Sequence, residues 1–268
     1  MPKGCNPSTI TVKLDGRSRW HVSLLVDETI SPLPLTDKTI GLDVGITSLI
    51  ATSNGDKIVN PKHFKKLHSK LKQVQKSLSR KQKGSNNRHK QRQKVARVHA
   101  RICDSRKDFL HKLTTQLVRE NQMIVVEDLA IENMVKCHSL AQSISDASWG
   151  ASFVGEASPT NVACELVRQL AYKCEWYGRE LIKIDRWFPS SKRCGNCGHI
   201  ALQMPLNTRE WDCPKCGINH DRDINASKNI LAAGLAVSVC GSSVRPDSLE
   251  VKGRLSKTAC GRKQKPKS

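Results

Sequence analysis

Four cysteines in two closely spaced pairs are the strongest chemical signal in the sequence. Two residues separate Cys194 from Cys197 and Cys213 from Cys216, and 15 residues lie between the two pairs. Two C-x-x-C pairs at this separation are typical of a zinc ribbon, in which four thiolates surround one zinc ion. A degenerate knuckle and an iron–sulfur site are the alternatives for the same cysteines. Because four sulfur ligands leave no coordination position for water, the pattern predicts a structural zinc ion.

Other cysteines and histidines indicate the environment of the chain rather than further sites. His199 and His220 flank the cysteine pairs, and since they would be redundant as ligands, we expect both to be surface residues. The total of 11 cysteines is odd and the other seven are scattered singly, which argues against a disulfide framework and for a reducing, cytoplasmic location. No apolar run approaches the ~20 residues of a membrane span, and no apolar signal-peptide core is evident.

Three carboxylates lie in or beside apolar segments, where a charge is costly to bury unless it binds a cation. Asp43 lies within the apolar run 40–45, Glu127 follows the run 124–126, and Asp223 opens the last helical segment. Each has an ordinary explanation alone, two as strand-end acids near solvent and one as a helix N-cap. Acids from two strands and one helix of one sheet can also converge on two Mg²⁺ ions about 3.5–4 Å apart and cleave a phosphodiester.

Positive charge is concentrated in one part of the chain. The formal net charge is +21, and residues 61–112 contain 18 Lys and Arg residues against two acidic ones. Apolar residues recur there at spacings of three and four, with a break at 84–87, which predicts two long antiparallel helices. This surface indicates nucleic acid as the partner, and we expect Lys81, Arg88 and Arg92 to bind it. A solvated, highly charged helical face is the alternative.

Alternating patterns predict the elements that would position these side chains. Strands are predicted over residues 9–14, 20–26, 39–45, 48–52, 57–59, 123–129 and 180–185, and further helices over 165–177 and 226–235. Three antiparallel strands followed by a helical excursion, a strand, a helix, a strand and a closing helix is the element order of a ribonuclease H-like α/β fold. The basic segment 245–268 is expected to be disordered.

Taken in order, several segments resemble one known family. They are residues 41–45 (Gly-Leu-Asp-Val-Gly), 126–129 (Val-Glu-Asp-Leu), 190–192 (Ser-Ser-Lys) before the four cysteines, and 221–226 (Asp-Arg-Asp-Ile-Asn-Ala). This combination is similar to the TnpB (OrfB) proteins of IS200/IS605-type insertion elements, which are related to the Cas12 nucleases. The resemblance extends from about residue 9 to the C-terminus.

The resemblance implies a RuvC nuclease domain of the ribonuclease H type with an inserted helical hairpin and a zinc ribbon, preceded by a remnant of a β-barrel wedge domain. The implied segments are 1–35 (wedge-like strands), 36–60, 121–189 and 220–240 (nuclease), 61–120 (helical hairpin), 190–219 (zinc ribbon) and 241–268 (basic tail). It also implies that Asp43, Glu127 and Asp223 form a Mg²⁺ centre that cuts DNA, with Asp221 as a less favoured neighbour. In intact relatives a guide RNA from the element directs the cleavage.

Two departures from the family pattern bear on function. The chain is shorter at the N-terminus than typical members, and residues 151–163 read as extra sequence, so a shortened copy is expected. A catalytically idle nucleic-acid-binding protein is therefore the alternative to a nuclease, although retention of all three acids favours the nuclease. A tyrosine-nucleophile transposase would need a His-x-His pair, which the sequence lacks. The oligomeric state stays open.

Overall fold

The computed structural model describes residues 6–15, 19–45, 48–128, 165–205 and 207–240. The predicted extra sequence at 151–163 and the basic segment 245–268 lie outside the described residues. Across the described ranges, no helix combines the length and the apolar character that a bilayer crossing requires.

Thirteen helices and strands make up the described part of the chain. In chain order they are β1 (Pro7–Leu14), β2 (Trp20–Val26), β3 (Thr39–Val44), β4 (Ser48–Thr52), β5 (Lys57–Val59), α1 (His63–Ser79), α2 (Asn86–Glu120), β6 (Met123–Glu127), α3 (Glu165–Tyr177), β7 (Glu180–Ile184), β8 (Glu210–Asp212), β9 (Asn219–Asp221) and α4 (Arg222–Cys240). The predicted strands and helices are present in the predicted order. The last helix is longer than expected, because it begins four residues earlier and continues five residues further.

The central sheet has five strands in the order β5-β4-β3-β6-β7 and is mixed. Strands β3, β4 and β5 pair antiparallel, whereas β3, β6 and β7 run parallel. In the β3–β6 register Leu42 lies opposite Val126, so Asp43 and Glu127 follow at the same edge of the sheet. The sheet therefore brings two of the three predicted acids to neighbouring positions.

Apolar side chains on both faces place the sheet between two layers of helix. Ile40, Leu42 and Val126 pack with side chains of α2 and α3 in one buried cluster. Val125 packs on the opposite face with Ile230 of α4. Since successive residues of a strand point to opposite faces, Asp43 and Glu127 share the face of Val125, which α4 covers. This alternation places both acids on the side of the sheet where Asp223 begins a helix.

Helix α4 lies unusually close to β3. A Cβ atom added to Gly41 would be 2.3 Å from the carbonyl oxygen of Ser227 in α4, a distance that no side chain could tolerate. Glycine two residues before Asp43 therefore lets the helix backbone rest directly on the strand. The short helix-to-strand distance brings the first turn of α4 to the sheet edge that carries the acids.

Strands β1 and β2 form a separate two-stranded sheet with one exposed apolar face. Their register pairs Ile10 with Leu24, Val12 with Val22 and Leu14 with Trp20, so all six side chains share a face. These side chains are 45–70% exposed. Arg19 links the hairpin to α2 by an ion pair with Asp104 (3.2 Å). The two predicted wedge-like strands are thus present, and their membership of a barrel stays a prediction.

Candidate metal centres and basic surface

The four predicted cysteine ligands meet at one point. Their Sγ atoms all lie within 4.8 Å of one another, and both the Cys194–Cys216 and the Cys197–Cys213 distances are 3.6 Å. A disulfide would need about 2.05 Å, whereas sulfurs at the corners of a tetrahedron with Zn–S bonds of about 2.3 Å are about 3.8 Å apart. The spacing therefore fits a four-thiolate zinc site and excludes disulfides between these pairs.

Each cysteine pair is shaped by its own short turn. The N–H of Gly198 donates to the carbonyl of Cys194 (2.9 Å), and the N–H of Gly217 donates in the same way to Cys213 (2.8 Å). The backbone N–H of Ile218 also donates to the Cys216 sulfur and lowers the pKa of this thiol to about 6. A thiol with this pKa is largely a thiolate at neutral pH, which is the form that binds metal.

His220 contacts the cysteine cluster directly. Its Nε2 atom lies 3.0 Å from the Cys194 sulfur, and its ring packs against Trp211 with 5.1 Å between ring centroids. The expectation that His220 is an ordinary surface histidine is therefore wrong. Contacts from neighbouring side chains orient the residues that bind metals. The available sequence signal for this contact was that His220 flanks the second cysteine pair.

The three predicted acids share one electrostatic environment. Burial is the main reason that the pKa of Asp43 is raised to about 7, and the negative charge of Asp223 adds to it. Burial likewise raises the pKa of Glu127 to about 7, with the charge of Asp43 as the next cause. Asp43 and Glu127 are thus each influenced by the charge of another member of the set. A cluster of this kind is stabilised by a cation.

The three predicted acids do not form a group as close as the cysteines. Within the described ranges, the four cysteines form the one group of three or more possible ligands whose atoms all lie within 4.8 Å. The donors of the three acids are all oxygen atoms, which Mg²⁺ prefers, and two ions about 3.5–4 Å apart do not require every ligand to touch every other. The residues present therefore fit a magnesium centre.

Asp221 caps the helix that carries Asp223. Its Oδ1 accepts the backbone N–H groups of Asp223 (3.1 Å) and Ile224 (3.0 Å), and its Oδ2 lies 2.6 Å from Nζ of Lys57. Burial alone would raise the pKa of Asp221, but Lys57 and these N–H groups hold it below its usual range. The helix-capping role that was the ordinary explanation for Asp223 thus belongs to Asp221.

Asp223 lies in the first turn of α4 between two positively charged side chains. Nζ of Lys57 is 3.8 Å from one carboxylate oxygen, and Nη1 of Arg209 is 3.7 Å from the other. Lys57 comes from the edge strand β5 and Arg209 from the segment just before β8. Neither residue was identified from the sequence, because an ion pair between segments so distant in the chain leaves no local pattern.

The basic side chains of the helical hairpin are of two kinds: some hold the hairpin together and others are exposed to solvent. The guanidinium of Arg88 donates to the carbonyls of Leu78 (3.2 Å) and Lys81 (3.0 Å), which satisfies the end of α1. The side chains of Lys81 and Arg92 are exposed. Of the three predicted nucleic-acid-binding residues, Arg88 therefore holds the turn, and the other two face solvent.

A groove of about 340 Å³ lies between α1 and α2. Its rim carries four basic residues and its floor is apolar. The lining residues are Lys70, Lys94, Arg97, Arg101, Leu67, Val74 and Val98. Cations at the rim of such a groove suit the phosphates of a nucleic acid backbone.

Comparison with known proteins identifies two family models along the chain. Residues 21–138 match the OrfB family of IS605 elements, described as "Probable transposase". Residues 164–230, a range that includes the four cysteines and Asp223, match the Cas12f1-like TNB domain.

Curated relatives match most of this chain. A protein of Streptomyces pristinaespiralis named "Putative RNA-guided DNA endonuclease" is 55% identical over 92% of the chain and 58% of its own length. InsQ of Escherichia coli K12, with the same description, is 36% identical over 85% of the chain and 57% of its own length. The chain thus spans less than three fifths of either relative.

Among solved structures, a Cas12f1–sgRNA–target DNA complex superposes on 84% of the chain and 45% of that protein, with a TM-score of 0.55 and 19% sequence identity. A CRISPR-Cas12f ternary complex gives a TM-score of 0.51 at 21% identity, over 85% of the chain and 46% of that protein. At these identities the likeness concerns the fold, a mixed α/β sheet with its helices.

Proposed function

Because the chain belongs to the TnpB (OrfB) family of transposon-encoded proteins, we propose that it carries the RuvC-type centre of a magnesium-dependent DNA endonuclease. Asp43, Glu127 and Asp223 are the proposed catalytic acids. Two of its relatives are named as putative RNA-guided DNA endonucleases, and we propose guide RNA and target DNA as the partners. A cytoplasmic location goes with these partners.

One observation carries the proposal. Asp43 and Glu127 end two adjacent parallel strands on the face that α4 covers, and Asp223 lies in the first turn of that helix. The charges of Asp223 and Asp43 contribute to the raised pKa values of Asp43 and Glu127, respectively. These relations support a centre formed by acids from three separate elements, which is the arrangement that a cation-dependent phosphodiesterase needs.

The side chains of the centre have separable tasks. Asp43, Glu127 and Asp223 would hold the cations, which when bound supply Lewis-acid stabilisation of the charge that develops on a phosphodiester. Asp221 holds the first turn of α4 through its two backbone hydrogen bonds, and Lys57 orients Asp221. Burial keeps bulk water from screening the charges of the centre.

The basic hairpin would hold the nucleic acid beside the centre. Lys81 and Arg92 are exposed, and the groove between α1 and α2 adds further cations. Contacts with phosphates carry no sequence information, which suits a protein whose target choice is made by base pairing with an RNA. The four-cysteine cluster would hold a structural zinc ion, because all four ligands are thiols.

The proposal is tested by cation binding and cleavage together. Mn²⁺, which replaces Mg²⁺ and is detected by electron paramagnetic resonance, is titrated into the full chain, and Mg²⁺-dependent cleavage is assayed on DNA with the RNA that copurifies. Asp43→Asn, Glu127→Gln and Asp223→Asn should each lower both readouts at least about 100-fold, since each removes a direct ligand. Asp108→Asn, which breaks an exposed ion pair with Lys112 on α2, is the matched control and should change neither.

Undiminished Mn²⁺ binding by Asp43→Asn would contradict the proposed centre. Binding of cations without cleavage of any nucleic acid by the unmodified chain would instead favour a catalytically idle nucleic-acid-binding protein.

A further inference from the structure

Two buried asparagines of α4 hold the first cysteine turn. Asn225 and Asn229 are only 3% and 5% exposed, although both side chains are polar. Oδ1 of Asn225 accepts the N–H of Gly195 (2.9 Å), and its Nδ2 donates to the carbonyl of Arg193 (2.7 Å). Nδ2 of Asn229 donates to the carbonyls of Ser190 (2.8 Å) and Arg193 (2.7 Å).

These four hydrogen bonds enclose Cys194 on both sides. Arg193 precedes this ligand, and Gly195 follows it. Asn225 and Asn229 are four residues apart in the helix, so their side chains lie on the same face and reach the same turn. The fit is close, since a Cβ atom added to Gly195 would lie 3.0 Å from Oδ1 of Asn225.

The second cysteine turn reaches the same helix by a different route. Strand β9 leaves this turn, places His220 beside the Cys194 sulfur, and ends at Asp221, the residue that caps α4. The start of α4 is therefore held by the first turn through two asparagine side chains and by the second turn through the backbone. Asp223 lies between these two attachments, two residues after the cap and two before Asn225.

We propose that Asn225 and Asn229 are positioning residues through which the four-cysteine ribbon fixes the first turn of α4, and with it Asp223, for cation binding at the acid centre. The inference rests on the proposed function of that centre and assigns its ribbon a second task besides folding. Neither asparagine touches the cations, so both act through the backbone that carries Asp223.

Loss of one asparagine should weaken cation binding by more than the lower stability of the fold would explain. Replacing Asn225 by alanine leaves the Gly195 N–H unpaired and removes one of the two donors to Arg193, and unsatisfied buried groups relax by moving toward other partners. Cation sites tolerate displacements of only about 0.5 Å in their ligands. Residues that orient direct ligands typically contribute 10–100-fold to metal affinity.

The test uses the full chain loaded with zinc and compares Asn225→Ala and Asn229→Ala with the unmodified protein. Three quantities are measured: zinc content, Mn²⁺ affinity by electron paramagnetic resonance, and melting temperature. We expect about one zinc per chain in each variant, with Mn²⁺ affinity about tenfold weaker for Asn225→Ala and a smaller loss for Asn229→Ala. If Asn225→Ala does not fold, Asn229→Ala, which lies farther from Asp223, provides the test on its own.

Asn121→Ala is the matched control. Asn121 is 4% exposed, and its Nδ2 donates to the carbonyl of Leu117 at the end of α2, away from the acid centre. This substitution should lower the melting temperature and leave Mn²⁺ affinity unchanged. Unchanged Mn²⁺ affinity in both α4 variants, or an equal loss in Asn121→Ala, would overturn the inference while leaving the acid centre in place.

A different result would overturn the proposed function itself. If the unmodified chain binds no Mn²⁺, or binds it equally well after Asp43→Asn, there is no acid centre for the asparagines to position. The two failures are thus distinguished by the unmodified chain and Asp43→Asn, before any α4 variant is compared.

Discussion

Two candidate metal centres adjoin the start of α4, and their ligands are grouped to different degrees. The four cysteine sulfurs are 3.6 Å apart in two pairs, close to the spacing that a zinc ion imposes. The three proposed acids come from β3, β6 and α4, and their oxygen atoms do not all lie within the 4.8 Å that the sulfurs satisfy. The cysteine centre is thus assembled by the fold, whereas the proposed acid centre is less closely grouped.

The two sets of ligands are positioned in different ways. Each cysteine pair belongs to one short turn closed by a backbone hydrogen bond, and the two turns bring the four sulfurs together. The proposed acids come from separate elements. Burial is the main cause of the raised pKa values of about 7, and the charge of Asp223 adds to it at Asp43 and the charge of Asp43 at Glu127. A four-thiolate zinc site contributes folding free energy, whereas a cation at the proposed acid centre would offset the cost of burying charged carboxylates.

The largest effect is expected from breaking the assembled centre. Cys213→Ser should abolish zinc binding, and because structural zinc contributes folding free energy directly, the ribbon should unfold and the start of α4 should loosen. Metal analysis should fall from about one zinc per chain to none, and limited proteolysis should cut first within residues 190–219. Retention of zinc with an intact ribbon would show that the cluster is not a four-thiolate site.

Cys103→Ser is the control for this experiment. Cys103 lies on α2, and its loss should leave zinc content unchanged.

A smaller effect should follow from pH at the acidic centre. The folded-state pKa values of about 7 for Asp43 and Glu127 exceed the ordinary values near 4, so the folded chain holds protons that the unfolded chain releases. Below about pH 4 both carboxyls are protonated in the folded and in the unfolded chain, so the raised pKa values do not lower stability there. The free energy of unfolding then falls as the pH rises from about 4 to 7. Without Mg²⁺, the melting temperature should decline between pH 5 and 7.

Asp43→Asn isolates the contribution of the centre. This variant should show a shallower decline and a higher melting temperature than the unmodified chain at pH 8 without Mg²⁺. Mg²⁺ should stabilise the unmodified chain more at pH 8 than at pH 5, because protons compete for the carboxylates at the lower pH. Parallel curves for the two proteins would contradict the raised pKa values.

The smallest effect is expected from Lys57, which places a protein cation beside the acidic centre. Lys57→Met removes the ammonium that lies 2.6 Å from Asp221 and 3.8 Å from Asp223, so one repulsive charge no longer opposes incoming cations. Mn²⁺ affinity should rise about threefold, while stability changes by less than about 1 kcal/mol because the pair is partly exposed. Zinc content should not change.

Lys112→Met provides the comparison, since Lys112 also forms a close ion pair, with Asp108 (2.8 Å), on the exposed side of α2. It should leave Mn²⁺ affinity unaltered. Weaker Mn²⁺ binding in Lys57→Met would mean that orientation of Asp221 outweighs charge repulsion.

Much of the assembled centre could be predicted from the sequence because its ligands are local. Each C-x-x-C pair forms one turn, so the spacing of the cysteines alone predicts a metal site. Apolar patterning likewise predicts the two strands that carry Asp43 and Glu127 and the helix that Asp223 opens. The family resemblance added the preference for Asp223 over Asp221, which no local pattern distinguishes.

The remaining features depend on contacts between distant segments. Lys57 and Asp221 are 164 residues apart, and nothing in either segment signals their meeting. His220 of β9 contacts Cys194, 26 residues earlier in the chain, and Arg88 of the basic segment donates to carbonyls at the end of α1. The sequence therefore indicates which types of side chain take part, whereas packing between distant segments determines which residues they contact.

The β1–β2 hairpin has a consequence for handling the protein at the bench. Its apolar face, from Ile10 to Leu24, is open to solvent, and a net charge of +21 keeps molecules apart at low ionic strength. Salt that strips bound nucleic acid also shortens the Debye length to about 3 Å at 1 M and removes this repulsion. Colloidal stability and freedom from nucleic acid therefore place opposite demands on the buffer, and a low concentration of mild detergent during the salt wash reconciles them.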